Sequence, residues 1–574
     1  RDGHLERTLF LDYKNGDNKE LLKAATLSTA GLMLGKVERT RVSVPMARGL
    51  SSRPLRELLS RQRELPLGGN KNPDGEHFGL QSAPDIFPGA ICLKNADAPL
   101  HLSILPLPHE CPVAIKLWGD GENLHLEQRF GCEIYPDAST RYELARQIWL
   151  LENADWKSAL PAAGKLLSKR GYSVPEQRPA WAKSATILEV EIGFMGGLKK
   201  LREQLEELQR IGFNTVYLMP WHIGKHSGYA TGDYLQINPD YGTFDDLRAL
   251  CDAAHERGMK VLFDMLVNIA GDDSEYPQKH PDWFYHDENG NPLRHPTWGG
   301  ACLDPASPGF RQFLVDYAVR CCTQWGADGF RVDAVAHRGG NLHPLPGLQP
   351  HQHSQAVFSL VGEICSAIRN VKPDAILLAE CFGPAQVPVS DLVCTSWIAW
   401  LDWALDRVLN GRLNGEQVAR LLHEQFAAMP PGTWFTGYTH THDTVAFEGR
   451  DLQGPPVDAL FAAMSLLCAG AMVFGGGWNM CPRPGDEEKP YYRRLFQMRE
   501  KLGGVAGSDV QFEYGENPAL LMAKRPSNNG DVYVVANFSS QAQPLPFENQ
   551  SEYSYLGQSA ADEIAPFDVV VWRA

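Results

Sequence analysis

The chain reads as an α/β protein centred on a closed (β/α)8 barrel of the TIM type, with an N-terminal β-sandwich and a small C-terminal all-β domain. Three observations predict this. From about Ile187 to Leu502, short apolar runs alternate with amphipathic helical stretches, the pattern of repeated βα units around a parallel sheet. The number of units suits a sheet closed on itself, whose active site lies at the C-terminal ends of the strands. No GxGxxG opens a helix after an early strand, so an open doubly wound sheet lacks its usual fingerprint.

The elements follow in order. Residues 1 to about 170 are mostly short alternating runs, such as His101 to Leu107 and Val113 to Trp118, which suggest the β-sandwich. Gly171 to Trp181 carries two prolines and reads as a linker. The first barrel helix places Leu198, Leu201, Leu205 and Leu208 on one face, Gly212 stops it, and Thr215 to Met219 reads as a buried strand. Leu247, Leu250, Cys251 and Ala254 mark a second helical face before the strand Lys260 to Phe263. Phe310, Phe313, Leu314, Tyr317 and Cys321 mark a third before Gly329 to Val332. Further strands are expected at Ala375 to Ala379, Thr433 to Tyr438 and Ala471 to Gly475. A Gly, Pro, Asp and aromatic-rich insert at about 269–307 contains His280-Pro281-Asp282-Trp283-Phe284. A loop that long inside a compact domain is usually functional, so it is expected to wall one side of the cleft. Runs at Ala519 to Ala523 and Val532 to Asn537 suggest the terminal β domain. The domain boundaries read as 1–175, 176–505 and 506–574.

The 574 residues are too many for one core. Hydrophobic residues at 43% and charged residues at 21% describe a soluble globular protein. The net charge of -15 argues against nucleic acid as a partner and suits a small neutral or cationic ligand. No run approaches the roughly 18 uninterrupted apolar residues of a membrane span, so no membrane association is expected. The 12 cysteines are scattered without a CxxC pair, which reads as reduced thiols and a cytoplasmic location. Oligomeric state has no signature in the sequence.

Three carboxylates stand at the C-terminal ends of expected strands: Asp333 after Gly329-Phe330-Arg331-Val332, Glu380 after the apolar run Ala375 to Ala379, and Asp443 after His442. A folding core does not need that arrangement. Retaining cleavage of a glycosidic bond does. It uses one ionised carboxylate as nucleophile and one protonated acid, about 5 to 5.5 Å apart. Arg331, two residues before Asp333 on the same strand, projects to the same side and should hold Asp333 ionised. Glu380 should be kept protonated by burial and by neighbouring carboxylates.

Together with Gly212 to Pro220, Gly228-Tyr229, Asp233-Tyr234, Asn238 to Thr243, Asp264 to Asn268 and Gly329 to His337, these residues resemble the α-amylase family, glycoside hydrolase family 13. The resemblance covers roughly Ile187 to Leu502. It implies Asp333 as nucleophile, Glu380 as general acid/base and Asp443 as the carboxylate that stabilises the transition state. It also implies substrate binding by Tyr229, Asp233, Arg331, His337, His442 and Trp221, with Tyr229 as a stacking platform and both histidines bonding sugar hydroxyls. The counterpart of Asp264 supports the nucleophile strand, and that of Asn268 can ligate calcium. No cofactor or metal is otherwise expected.

The departures concern substrate. Ile269 stands where the family usually has His, and Thr441-His442-Asp443 replaces Asn-His-Asp. Phe474-Gly475-Gly476-Gly477-Trp478 replaces Tyr-Tyr-Gly-x-Glu. The Thr-His-Asp version resembles the sucrose phosphorylase branch, and His280 to Phe284 is similar to a stretch of maltosyltransferases. The expected activity is hydrolysis of a small α-glucoside or oligosaccharide, with a transglycosylase or phosphorylase as one alternative and a non-catalytic carbohydrate-binding protein as another. His440-x-His442-Asp443 also admits a metal site, since two histidines at strand spacing face one side. Trp397, Trp400 and Trp403 could line a sugar site, with core packing as the rival role.

Overall fold

Eight short apolar runs pair in parallel and close on themselves in the computed structural model of the chain. They are β1 (Thr186–Val190), β2 (Thr215–Leu218), β3 (Lys260–Met265), β4 (Gly329–Val332), β5 (Ile376–Ala379), β6 (Leu392–Cys394), β7 (Phe435–Gly437) and β8 (Gly470–Phe474). β8 pairs back onto β1 through Ile187 and Met472. The structure describes residues 4–12, 21–22, 25–32, 39–43, 53–54, 91–95, 101–106, 113–119, 124–130, 133–137, 140–152, 156–226, 228–295, 298–335, 340–380, 383–395, 407–443, 454–475, 490–547, 553–557, 559 and 562–573. The barrel is thus a TIM barrel, as its periodicity predicts. Two strands are not singled out by the sequence: β1, and β6, three residues long, which follows a proline-containing 3₁₀ turn at Pro384–Val389 rather than a helix.

The helices pack by the faces their spacing predicts. α1 (Leu198–Ile211) buries Leu198, Leu201, Leu205, Leu208 and Ile211. It ends at Gly212, whose φ of 118° is the left-handed conformation that a side chain resists. α2 (Phe244–Glu256) buries Leu247, Leu250, Cys251 and Ala254 and opens on a capping box between Thr243 and Asp246. α3 (Pro308–Arg320) buries Phe310, Leu314, Tyr317 and Ala318; Cys321 lies just beyond it in a π-helical turn, Cys321–Trp325. α4 (Pro350–Val371), α5 (Gly415–Ala428), α6 (Pro455–Leu467) and α7 (Pro490–Leu502) complete the described outer layer.

The insert is larger than the sequence suggests and is assembled from two separate stretches. A hairpin, His222–Lys225 with Ala230–Ile237, follows β2, and its second strand pairs in parallel with Ile269–Ala270, which in turn pairs with Ala301–Cys302. Gly228 turns the hairpin at φ 88°, where a Cβ would sit 2.6 Å from the Pro220 side chain. The His280 to Phe284 stretch anchors the insert: Trp283 is buried against Phe310 and Phe313 of α3, and His280 stacks on it at 4.1 Å.

N-terminal to the barrel lie a six-stranded and a three-stranded antiparallel sheet. C-terminal to it lies a five-stranded sheet running Gln511–Glu513, Leu520–Ser527, Gly530–Asn537, Val569–Arg573 and Tyr553–Tyr555. Two buried arginines tie this end together. Arg499 of α7 donates to the carbonyls of Ser465, Cys468 and Ala469 at the end of α6 and to Ala185 beside β1. Arg525 donates to Leu466, Leu502 and Gly503. Both supply the donors that helix C-termini lack. Arg499→Met should therefore lower stability by about 3 kcal/mol, read as a fall in the urea midpoint.

Among the described residues, no helix is long and apolar enough to cross a membrane.

Candidate active site

Strand register brings the carboxylates to one level. Val332 of β4 lies opposite Ala379 of β5, so Asp333 and Glu380, the next residue of each strand, emerge side by side. On the other flank Arg331 lies opposite Asp264 of β3. Arg331 is almost fully buried and its guanidinium serves three acids. Nη1 donates to Asp333 Oδ1 at 2.7 Å and to both Asp264 oxygens at 3.2 Å, while Nη2 pairs with Glu380 Oε2 at 2.9 Å. A planar fork of this kind fixes direction as well as charge.

Asp333 is held on both oxygens. Arg331 takes Oδ1, and the Asn268 amide donates to Oδ2 at 2.8 Å and to the Asp333 carbonyl at 3.2 Å. Its side chain keeps 17% exposure, enough to meet a ligand. The following residue, Ala334, has φ 36°, a conformation uncommon outside glycine. That turn aims the Ala334 N–H at Glu380 Oε2, 2.7 Å away. Backbone strain beside a reactive side chain is a mark of functional sites.

Glu380 is the acid of the pair. Burial is the largest influence on it and, with the negative charges of Asp333 and Asp443, outweighs Arg331 and the Ala334 N–H, lifting its pKa to about 8. Since Oε2 already accepts from Ala334 and faces Arg331, the proton belongs on Oε1. Asp264, behind the pair, is raised to about 6, again chiefly by burial against the pull of Arg331. It accepts from Tyr217 Oη at 2.6 Å and Tyr229 Oη at 2.8 Å.

The third acid arrives from β7. His442 is buried with its ring stacked on Tyr229 at 4.9 Å. Its Nδ1 lies 2.6 Å from Glu189 Oε1 of β1, and its Nε2 faces Asp443 Oδ1 at 3.5 Å. The negative charge of Asp443, with that of Asp333, helps raise the pKa of Glu380.

The loop joining β4 to α4 is braced from two sides. Asp304 of the insert accepts from Asn341 at 2.9 Å and from His353 Nδ1 at 2.6 Å, while the Leu345 N–H donates to His353 Nε2. That pattern fixes His353 as the neutral Nδ1–H tautomer. From the N-terminal domain, Tyr135 donates to the Leu342 carbonyl and to Gln349, and the Glu133 carbonyl accepts from the His351 N–H.

Comparison with known proteins is consistent with this geometry. The "Alpha amylase, catalytic domain" profile matches residues 182–298. Neopullulanase 2 of Thermoactinomyces vulgaris is 24% identical over 420 residues, covering 65% of this chain and 67% of that protein. These matches assign residues 182–298 to the α-amylase catalytic-domain family.

Within the family, the cyclomaltodextrinase of a Bacillus species is 30% identical over 217 residues, 34% of this chain and 35% of that protein. A trehalose synthase/amylase of Mycobacterium tuberculosis is 26% identical over 250 residues, 35% and 40% respectively. The chain therefore spans well under half the length of these two relatives. In fold, the type III pullulan hydrolase from Thermococcus kodakarensis superposes with a TM-score of 0.53 at 17% identity, over 86% of this chain and 99% of that one. An α-amylase from Lactobacillus plantarum does so at 0.53 and 19%, over 68% and 99%.

Of the site residues the sequence nominates, Asp333, Glu380, Asp443, Arg331, His442 and Tyr229 are brought together. Two others, Trp221 and Asp233, have other partners in the fold. Trp221 is corrected from a substrate residue to a core residue: it is 1% exposed, wedged among Phe244, Phe263, Tyr317 and Trp325, where burying its rings outweighs offering them to a ligand. Asp233 is half-buried in the insert. Its carboxylate accepts from Tyr276 Oη, the Leu235 N–H and Gln236 within the insert. Asn268 binds Asp333 through its amide nitrogen, so its described partner is the carboxylate. Ile269 packs with Ala230, Tyr285 and Cys302 in the insert's own small core, which explains an apolar residue there. His337 lies outside the described residues, as do Trp397, Trp400, Trp403 and Gly476 to Asn479. At the metal reading's position, His440 Nδ1 bonds Thr439 Oγ1 at 2.9 Å, and no group of three potential ligands occurs among the described residues. Sequence reading missed Glu189 and Tyr217. Their signal was a polar atom inside an otherwise apolar barrel strand.

Proposed function

We propose that the protein is a retaining enzyme that cleaves an α-glycosidic bond of a small α-glucoside or oligosaccharide through a covalent glycosyl-Asp333 intermediate. The observation that carries the reading is the single Arg331 fork shared by a partly exposed carboxylate, Asp333, and a carboxyl that burial keeps protonated, Glu380. A nucleophile must be ionised and a general acid must not, and one guanidinium between them fixes their spacing and orientation.

In the first step an Asp333 oxygen attacks the anomeric carbon while Glu380 Oε1 delivers its proton to the departing glycosidic oxygen. The C–O bond to the leaving group breaks as the ester to Asp333 forms. Glu380, now ionised, next takes a proton from water as that water attacks the same carbon, and Asp333 leaves. Asp443 stabilises the positive charge that develops on the sugar ring in both steps. Asn268 and Arg331 hold Asp333 in line without touching the sugar. The bracing of the β4–α4 loop by the insert and the N-terminal domain supports a confined cleft and hence a small substrate. The second reading is transfer or phosphorolysis, in which a sugar or a phosphate replaces water as acceptor to the glycosyl-Asp333 intermediate; a relative named as a trehalose synthase/amylase favours the sugar.

The test is a panel of α-linked disaccharides and aryl α-glucosides with and without phosphate, with the first-formed anomer read by NMR. Retention of configuration is expected. Inversion, or no turnover of any α-glucoside, would overturn the reading, and phosphate-dependent release of a sugar phosphate would select phosphorolysis. The pH dependence supplies a second check. Glu380 must carry its proton to act, and its pKa is about 8, so kcat/KM on poor leaving groups should fall as pH rises through about 8. Glycosyl fluorides, which need little acid assistance, should not show this limb.

A further inference from the structure

Glu189 sits at the floor of the site, on the first barrel strand, and has no part in the steps above. It is fully buried, and Oε1 lies 2.6 Å from His442 Nδ1. Among the described residues its other oxygen, Oε2, is buried without a hydrogen-bond partner. A carboxylate stripped of water on both oxygens and bonded on one is costly unless a positive charge stands beside it. His442 is the group in contact. Because Glu189 accepts at Nδ1, that nitrogen carries a hydrogen. The opposite nitrogen, Nε2, faces the Asp443 carboxylate at 3.5 Å, where a lone pair would meet negative charge and an N–H meets it favourably. Both ring nitrogens thus face carboxylates.

We propose that Glu189 is a positioning residue that keeps His442 doubly protonated, so that a fixed cation stands beside Asp443 throughout the reaction. The line runs from β1 through the imidazolium to the acid at the end of β7, and Tyr229, stacked on the ring, prevents it from turning. Among the described residues, the charged and titratable groups facing His442 are Glu189, Asp443, Tyr229 and, from β4, Arg331. Burial and Arg331 act against the proton, and the two carboxylates prevail, lifting the pKa to about 9. The consequence for catalysis rests on the α-glycoside reading above: the imidazolium stands against the Asp443 carboxylate while the charge on Glu380 changes. The protonation state of His442 does not rest on it.

The decisive measurement is the titration of His442 in protein carrying ¹³C-labelled histidine, its signal assigned by its loss in His442→Gln. In the unaltered protein the midpoint should lie well above the ordinary value of about 6.5, and a midpoint at or below that value would overturn the proposal without any variant. Glu189→Gln keeps an acceptor for Nδ1 but removes the charge. It should lower the midpoint by about one pH unit or more and reduce kcat by about tenfold or more, with the loss growing toward alkaline pH. Glu189→Asp should retain much of the high midpoint. If Gln leaves the midpoint and kcat as they were, Glu189 is only a hydrogen-bond acceptor and the proposal fails. If no α-glucoside is turned over, the functional reading fails while the titration still decides this one.

Discussion

Asp333→Ala is expected to lower turnover on any cleaved α-glucoside by on the order of 10⁴-fold or more, with thermal unfolding little changed. If Asp333 is the nucleophile, its removal deletes the atom that forms the bond to the anomeric carbon, and a loss of that size follows. Folding should survive because Arg331 keeps two of its three acids, Asp264 and Glu380, and the vacated position is partly open to solvent. A rapid quench with a slow glycosyl fluoride, followed by mass measurement of peptides, should find a hexosyl adduct on the peptide containing Asp333. Activity within about tenfold of the parent in the alanine variant, or an adduct on a different carboxylate, would remove the mechanism.

Arg331→Met should have the largest effect on stability, a loss of about 3–5 kcal/mol near neutral pH. Methionine fills similar volume, so the loss is one of charge and not of packing. The variant would leave Asp264 and Glu380 buried beside each other and beside Asp333 without their common cation. The pH dependence has a definite sign. Both buried carboxyls have folded pKa values raised above those of the unfolded chain, Asp264 to about 6 and Glu380 to about 8. Their protonated forms need no cation, so the deficit should shrink as pH falls through these values and be largest above about 8. Chemical denaturation of both proteins at several pH values tests this. An equal deficit at acid and alkaline pH would show that Arg331 acts by packing. Arg331→Lys should recover only part of the loss, because an ammonium lacks the fork that reaches Asp333 and Glu380 together.

Much of this was legible in the sequence because it is written in local periods. Leu198 to Leu208 and Leu247 to Ala254 repeat at helical spacing, and the buried faces are those residues. The strands at Gly329 to Val332 and Ala375 to Ala379 end directly before Asp333 and Glu380, which made the acids conspicuous. β6 was not legible. Three residues give no period, and a 3₁₀ turn replaces the helix that would have announced it. Trp221 was misread for a related reason. An aromatic beside a family-like motif has the same letter whether its ring faces a ligand or a core, and the choice is made by Phe244, Tyr317 and Trp325, which lie far along the chain.

The sequence by itself determined the barrel and its flanking β domains and drew attention to the three acids at strand ends, since each follows from residue type and spacing within a short window. Tertiary structure decided what those acids are. The register of β3 against β4 and of β4 against β5 put Asp264, Asp333 and Glu380 around one guanidinium. Closure of the barrel brought Glu189 of the first strand to His442, which lies 253 positions further along the chain. The charge on a buried group depends on what surrounds it in space, through desolvation and neighbouring charge, and no local window of sequence contains all of those neighbours.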